Sequence, residues 1–155
     1  MFSASEILDL AIQIEENGEH FYRQAMGKFP DQSLLEMLFW FAEQEKRHRD
    51  FFIDTKRSLS RGSGERWAEQ LSGAMLRDEV ADHLFSMDEV SLDSIPDVQT
   101  FFQIAIGLEH DTVMFYEIIA SFVSEPDTLA QLKVIINEEL KHIELFKERQ
   151  MSVDG

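Results

Sequence analysis

Cysteine is absent from the 155 residues. That excludes disulfides, a thiolate zinc site and an iron–sulfur cluster. Turn formers are scarce, with 7 Gly and 3 Pro, which favours long helices over a turn-rich β fold. Positive charge is scarce too. The chain has 14 Lys and Arg against 30 Asp and Glu, a formal net charge of −16. Such a chain is a poor partner for nucleic acid or an anionic membrane surface and attracts cations instead. No apolar run is long enough to span a bilayer, and no signal-peptide pattern is present. A cytoplasmic location and the absence of a membrane partner are therefore expected. With 44% hydrophobic residues, the chain suits one domain, 1–155, with a substantial core.

What is present is helical periodicity. Apolar residues at intervals of three and four predict four long helices. The first runs from about Ala4 to Met26. Ser3 and Glu6 have capping-box spacing, and Gly27 with Pro30 marks the stop. Its stripe is Leu8, Ala11, Ile12, Glu15, Gly18 and Tyr22. The second runs from about Gln32 to Leu59, with Asp31 or Ser33 as cap and a second capping box from Ser33 to Glu36. Its stripe is Leu35, Leu38, Phe41, Ala42, Glu45, His48 and Phe52. The third begins near Pro96, a favourable first-turn residue, and ends near Phe122. Its stripe is Phe102, Ala105, Glu109, Thr112 and Tyr116. The fourth runs from about Pro126 to Gln150, with Leu132, Ile135, Glu139, His142 and Phe146 in its stripe. The helix pairs thus cover about 4–58 and 96–150, joined by a crossover of about 59–95.

The two pairs repeat one another. Glu15 and Glu109, Tyr22 and Tyr116, Glu45 and Glu139, and His48 and His142 are each 94 residues apart. Ala11/Ala105, Ile12/Ile106, Phe21/Phe115, Leu35/Leu129, Leu38/Leu132 and Phe52/Phe146 fall at the same offset. Glu-x-x-His alone is a weak motif, and a tyrosine on an apolar stripe is ordinarily a core residue. The joint register is the specific signal. Glu15, Glu45, Glu109 and Glu139 lie on the apolar stripes, where an uncompensated carboxylate costs several kcal/mol or takes up a proton. A pair of divalent cations removes the difficulty, because four carboxylates carry −4 and two neutral imidazoles carry nothing. Four carboxylates and two imidazoles on four helices form the ligand set of a dinuclear iron or manganese site.

These residues resemble the ferritin-like superfamily, and within it the rubrerythrin branch. The resemblance is carried by Ala11-Ile12-x-x-Glu15, Phe21-Tyr22 and Glu45-x-x-His48, and by their second copies. It covers about residues 4–58 and 96–150. It implies an all-α fold: a ferritin-like four-helix bundle of two helix hairpins with a long helical crossover between the second and third helices. It further implies that Glu15 and Glu109 are terminal or bridging ligands, that Glu45 and Glu139 bridge, and that His48 and His142 bind one metal each. Tyr22 and Tyr116 would donate hydrogen bonds to carboxylates. The expected cofactor is two Fe ions per chain, with Mn or Zn as possible substitutes.

Three departures narrow the resemblance. The cysteine-rich rubredoxin module common in rubrerythrins is missing. Thr112 stands where rubrerythrins carry an extra carboxylate. Lys46 stands where bacterioferritin-like proteins place a haem-ligating Met, so haem is not expected. The crossover contains a turn signal, Ser60-Arg61-Gly62-Ser63-Gly64. It then shows amphipathic spacing at Trp67, Leu71, Met75, Val80, Leu84 and Phe85. His83, near Glu79 and Asp82, reads as an exposed linker histidine rather than a ligand. His20 and His110 have no matched histidine in the other half and fall outside the site.

The expected activity is reduction of hydrogen peroxide or dioxygen at a dinuclear iron site. Without an electron-carrying module of its own, the chain needs an external donor, a reductase or a rubredoxin-like carrier. A homodimer is the expected assembly. The alternatives are ferroxidase or iron handling, an oxygenase acting on an organic substrate, and a non-enzymatic metal-binding helical protein.

Overall fold

Helical periodicity carries through to the structure with little alteration. A computed structural model describes residues 4–59 and 92–154. These residues form α1 (Ala4–Lys28), α2 (Gln32–Leu59), a short 3₁₀ turn (Leu92–Ser94), α3 (Val98–Phe122) and α4 (Pro126–Asp154). There is no strand among them. The crossover, with Trp67 and His83, lies outside the described residues apart from its last few positions, and so does Ser3. The chain divides into two compact units, Met1–Glu79 and Val80–Gly155. Each carries one hairpin.

In hairpin 1, three residues connect α1 to α2. Asp31, not Ser33, caps α2. Its Oδ1 accepts from the Ser33 and Leu34 amides at 3.0 and 3.3 Å, satisfying two of the donors a helix start leaves open. Ser33 lies inside the first turn, and the Glu36 carboxylate accepts from the Gln32 side chain at 3.3 Å. The core of this unit includes Ile7, Leu8, Ala11, Phe21, Tyr22, Leu38, Phe41 and Phe52, all buried. Ile12 and Leu35 are only half-buried, and Ile14 and Leu34 take the inward places beside them. The Tyr22 ring packs 5.8 Å from both the Phe21 and the Phe41 ring.

In hairpin 2 the start of α3 falls two residues later than Pro96 suggests. Asp97 is the cap, with extended backbone, and its side chain accepts from the Thr100 amide at 2.7 Å. That bond to the charged form holds the Asp97 carboxyl below its usual value. Proline at the next helix start does sit in the first turn, where its missing N–H costs nothing. The core of this unit is aromatic at one end, where Phe101 and Phe102 pack on Phe146 at 6.1 and 6.0 Å. Ala105, Phe115, Tyr116, Leu132 and Ile143 are buried along its length.

The repeat extends into the backbone of the turns. The Phe29 amide donates to Ala25 O at 3.2 Å, and the Val123 amide donates to Ile119 O at 3.1 Å. The Leu35 amide donates to Asp31 O at 2.8 Å, and the Leu129 amide to Glu125 O at 3.0 Å. Both pairs of bonds are in the 94-residue register of the side chains. No helix among the described residues is long and apolar enough to cross a membrane.

Candidate metal centre

Each hairpin gathers its own carboxylate–imidazole triad. On α1, Glu15 lies on the face that carries Ala11 and Tyr22. On α2, Glu45 and His48 are one turn apart, so both project to the same side. All three are buried, at 0, 3 and 3% exposure. His48 Nδ1 lies 3.5 Å from Glu15 Oε1 and 3.9 Å from Glu45 Oε2. One ligand atom from each of the three falls within 4.8 Å of the others.

Hairpin 2 builds the same triad from α3 and α4. His142 Nδ1 lies 3.5 Å from Glu109 Oε1 and 3.4 Å from Glu139 Oε2. These side chains are buried as well, and their ligand atoms also fall within 4.8 Å of one another. In both hairpins it is Nδ1 that faces the carboxylates. That equivalence follows from the Glu-x-x-His spacing, which gives the ring the same approach from the same helix.

Electrostatics set Glu109 apart from an ordinary core polar residue. Burial, and then the neighbouring Glu139 carboxylate, push the Glu109 carboxyl up to about 8, with His142 pulling the other way. Nearby protein groups therefore do not offset the cost of the Glu109 charge. A divalent cation between the carboxylates reverses this, because it becomes the largest local charge. The donor set suits such an ion. Carboxylate oxygen with imidazole nitrogen is a ligand combination that iron and manganese accept, and zinc also binds it.

Tyr22 and Tyr116 are buried, at 2 and 0% exposure. Thr112 is buried on the same face of α3 as Glu109, and its hydroxyl donates to Leu108 O at 2.9 Å. His20 is exposed and pairs with Gln24 through its Nε2 at 2.8 Å, and His110 is exposed. Neither belongs to a triad.

Sequence reasoning missed an ionic cluster flanking the first triad. Arg49 Nη1 binds Glu19 Oε1 at 2.8 Å, and Arg23 Nη2 binds Glu19 Oε2 at 2.8 Å and Glu43 Oε1 at 3.1 Å. The signal was available in the spacing. Glu19 stands four residues after Glu15 and Arg49 four after Glu45, so each follows its ligand by one turn on the same face.

The chain is similar over 97% of its length to a solved structure from Thermotoga maritima, provisionally described as a ferritin-like diiron-carboxylate protein. The two share 21% identity with a TM-score of 0.69, and 95% of that chain is covered. At this identity the likeness establishes the fold, which is ferritin-like and all-α. No curated protein matches the chain. The sequence profile of the family described as Rubrerythrin matches residues 6–149.

Proposed function

The chain belongs to the rubrerythrin family, and on that premise we propose that it is a di-iron oxidoreductase reducing hydrogen peroxide or dioxygen. The observation that carries the reading is the pair of buried triads, Glu15–Glu45–His48 and Glu109–Glu139–His142. Six donors of this kind hold two metal ions in balanced charge, and a decayed site has no reason to keep all six buried. Bound as a pair, iron ions supply reducing electrons and Lewis acidity to an O–O bond.

The chain's own residues supply the rest. The four carboxylates bring −4 and hold cations in a setting from which most water is excluded. His48 and His142 add neutral nitrogen donors through Nδ1. Tyr22 and Tyr116 donate to carboxylates and orient them. With no cysteine in the chain, the electrons come from a separate reductase or a small rubredoxin-like carrier. The protein works as a homodimer in the cytoplasm.

The test begins with anaerobic loading of Fe(II). Close to two ions per chain are expected, and Glu45→Ala or Glu139→Ala should each lower that number sharply. Full occupancy in both variants would remove the proposed site. Stopped-flow oxidation by peroxide and by dioxygen then separates the chemistries. Much faster reaction with peroxide is expected. Oxidation by dioxygen alone, with release of ferric iron, would replace this reading with iron handling.

A further inference from the structure

Tyr22 is buried, so a soluble electron carrier cannot touch it, yet a row of rings leads from it to the surface. Its ring centre lies 5.8 Å from that of Phe41, and the Phe41 ring lies 5.5 Å from that of Trp40. Phe41 is fully buried, whereas Trp40 is 45% exposed. The inner end of the row is at the first triad. On α1, Tyr22 stands one turn beyond Gly18. A Cβ placed on Gly18 would meet Cδ and Oε2 of Glu45 at 3.5 Å. Helical side chains lean toward the N-terminus, which carries the Tyr22 ring over the turn of Gly18, where no side chain of that residue intervenes. On α2, Phe41 stands one turn before Glu45.

Hairpin 2 keeps the tyrosine, Tyr116, but has Val134 and Ile135 at the positions of Trp40 and Phe41. Val134 is exposed and Ile135 is buried, as their counterparts are. The burial pattern is thus shared and the difference is chemical. An indole or a phenol gives up one electron to a strong oxidant, and a saturated side chain does not.

We infer that Trp40, Phe41 and Tyr22 form an electron relay between the surface of hairpin 1 and the metal centre, with Trp40 as the residue that an external one-electron donor refills. This rests on the di-iron reading above and adds the route. Electron counting gives the relay its use. Peroxide takes two electrons and two protons to become two waters, while a rubredoxin-like carrier delivers one electron at a time. Peroxide that meets a single reducing equivalent is therefore one electron short. Tyr22 supplies that electron and passes its phenolic proton to a neighbouring carboxylate. Trp40 then returns an electron to Tyr22 across the Phe41 ring, and the phenol recovers its proton. Trp40 is exposed, so its indole proton leaves to water. That proton and one from solvent complete the two waters, and the external donor, with a proton from solvent, restores Trp40. The only lasting change is one electron drawn from the donor, and no oxidising equivalent stays in the buried core.

The test uses the full chain loaded with iron, oxidised, and then given one electron per chain by titration with dithionite. One equivalent of peroxide is added without a carrier, in the presence of a nitroso spin trap, and peptide mass spectrometry locates the adduct. It is expected on Trp40, and ascorbate, a one-electron reductant, should suppress it. In Trp40→Phe a tyrosine radical should persist instead, read by freeze-quenched electron paramagnetic resonance. In Tyr22→Phe iron should still bind, and the Trp40 adduct should fall to the level seen when peroxide meets metal-free protein. If Tyr22→Phe fails to fold, as judged by circular dichroism, the surface variant Trp40→Phe decides the matter alone. A Trp40 adduct as strong in metal-free protein or in Tyr22→Phe would show a diffusing oxidant and overturn the relay. Peroxide consumed by wild-type protein with no adduct on Trp40 would overturn it too. Wild-type protein that binds no iron, or whose fully reduced iron peroxide does not oxidise, would overturn the di-iron reading itself.

Discussion

Hairpin 1 is closed by charge where hairpin 2 is closed by hydrocarbon. Glu19 and Arg49, bridged at 2.8 Å, correspond in the repeat to Val113 and Ile143, which are both buried. Lys56 reaches across from α2 to Asp9 of α1 at 2.6 Å, and the matching positions are Gln150 and Gln103. Arg23, which joins Glu19 to Glu43 and lies 5.9 Å from the Phe39 ring centre, corresponds to Glu117. An ion pair joins α1 to α2 in one hairpin, and the matching positions of α3 and α4 carry buried aliphatic side chains in the other, an exchange that is often neutral or stabilising. The triads, the tyrosines and the turn hydrogen bonds show no such exchange. At these positions the two halves agree where a ligand or a turn is built and differ where only cohesion is needed.

The largest effect is expected where the hairpins agree. Glu109 in the folded chain is raised above the ordinary 4.5 to about 8. Between those values the folded, metal-free protein binds more protons than the unfolded chain. Its stability therefore falls as pH rises from about 4.5 to about 8 and, for this group, is flat beyond. The loss is on the order of several kcal/mol. Urea melts of metal-free protein should show a lower midpoint at pH 8 than at pH 5. Glu109→Gln should flatten that dependence, and saturating Zn(II) at pH 8 should restore stability through binding to the folded state. Equal midpoints at both pH values would show that the buried carboxylates carry no uncompensated charge.

An intermediate effect belongs to Tyr22 and Tyr116. Replacing either with Phe keeps the ring and removes one hydroxyl, at a cost of about 0.5–1.5 kcal/mol. Metal stoichiometry should survive, and oxidation at equal metal loading should slow. If both variants oxidise like the parent, the tyrosines are packing residues in both hairpins.

The smallest effect tests the difference itself. Arg49→Ile alone leaves Glu19 beside an aliphatic surface and should cost about 0.5–1 kcal/mol. Adding Glu19→Val reproduces the Val113–Ile143 pair and should recover most of that loss, which a double-mutant cycle in thermal melts reads directly. A double variant weaker than the sum of its parts would show that charge closes hairpin 1 for a reason beyond cohesion.

Much of the fold was legible because its signals are local. The apolar periods and the Gly27–Pro30 stop placed α1 and α2 within about two residues, and Pro126 placed the start of α4. The start of α3 was blurred because Pro96 and Asp97 are adjacent helix-start residues, and only the hydrogen bond from Thr100 tells them apart. Choosing between Asp31 and Ser33 raised the same difficulty. Four glutamates and two histidines were legible through the repeat, and the structure groups them hairpin by hairpin. The Glu19–Arg49–Arg23 cluster was harder to see because it breaks the repeat that made the rest visible. Gly18 was found on the stripe, but the sequence does not reveal what an absent side chain would have touched.

The turns carry a consequence for insertions and deletions. Residues 29–31 and 123–125 are each three long and hold matching hydrogen bonds. An added residue that the turn passes on to the start of the following helix, the turn keeping its own hydrogen bonds, would advance the ligands on that helix by about 100°. That rotation would carry Glu45 and His48, or Glu139 and His142, a quarter-turn away from the helix that completes their triad. Each turn thus works as a gauge block, setting the angular phase of two ligands that lie fourteen or more residues downstream. Length changes in these loops should therefore act as ligand mutations, although they touch no ligand.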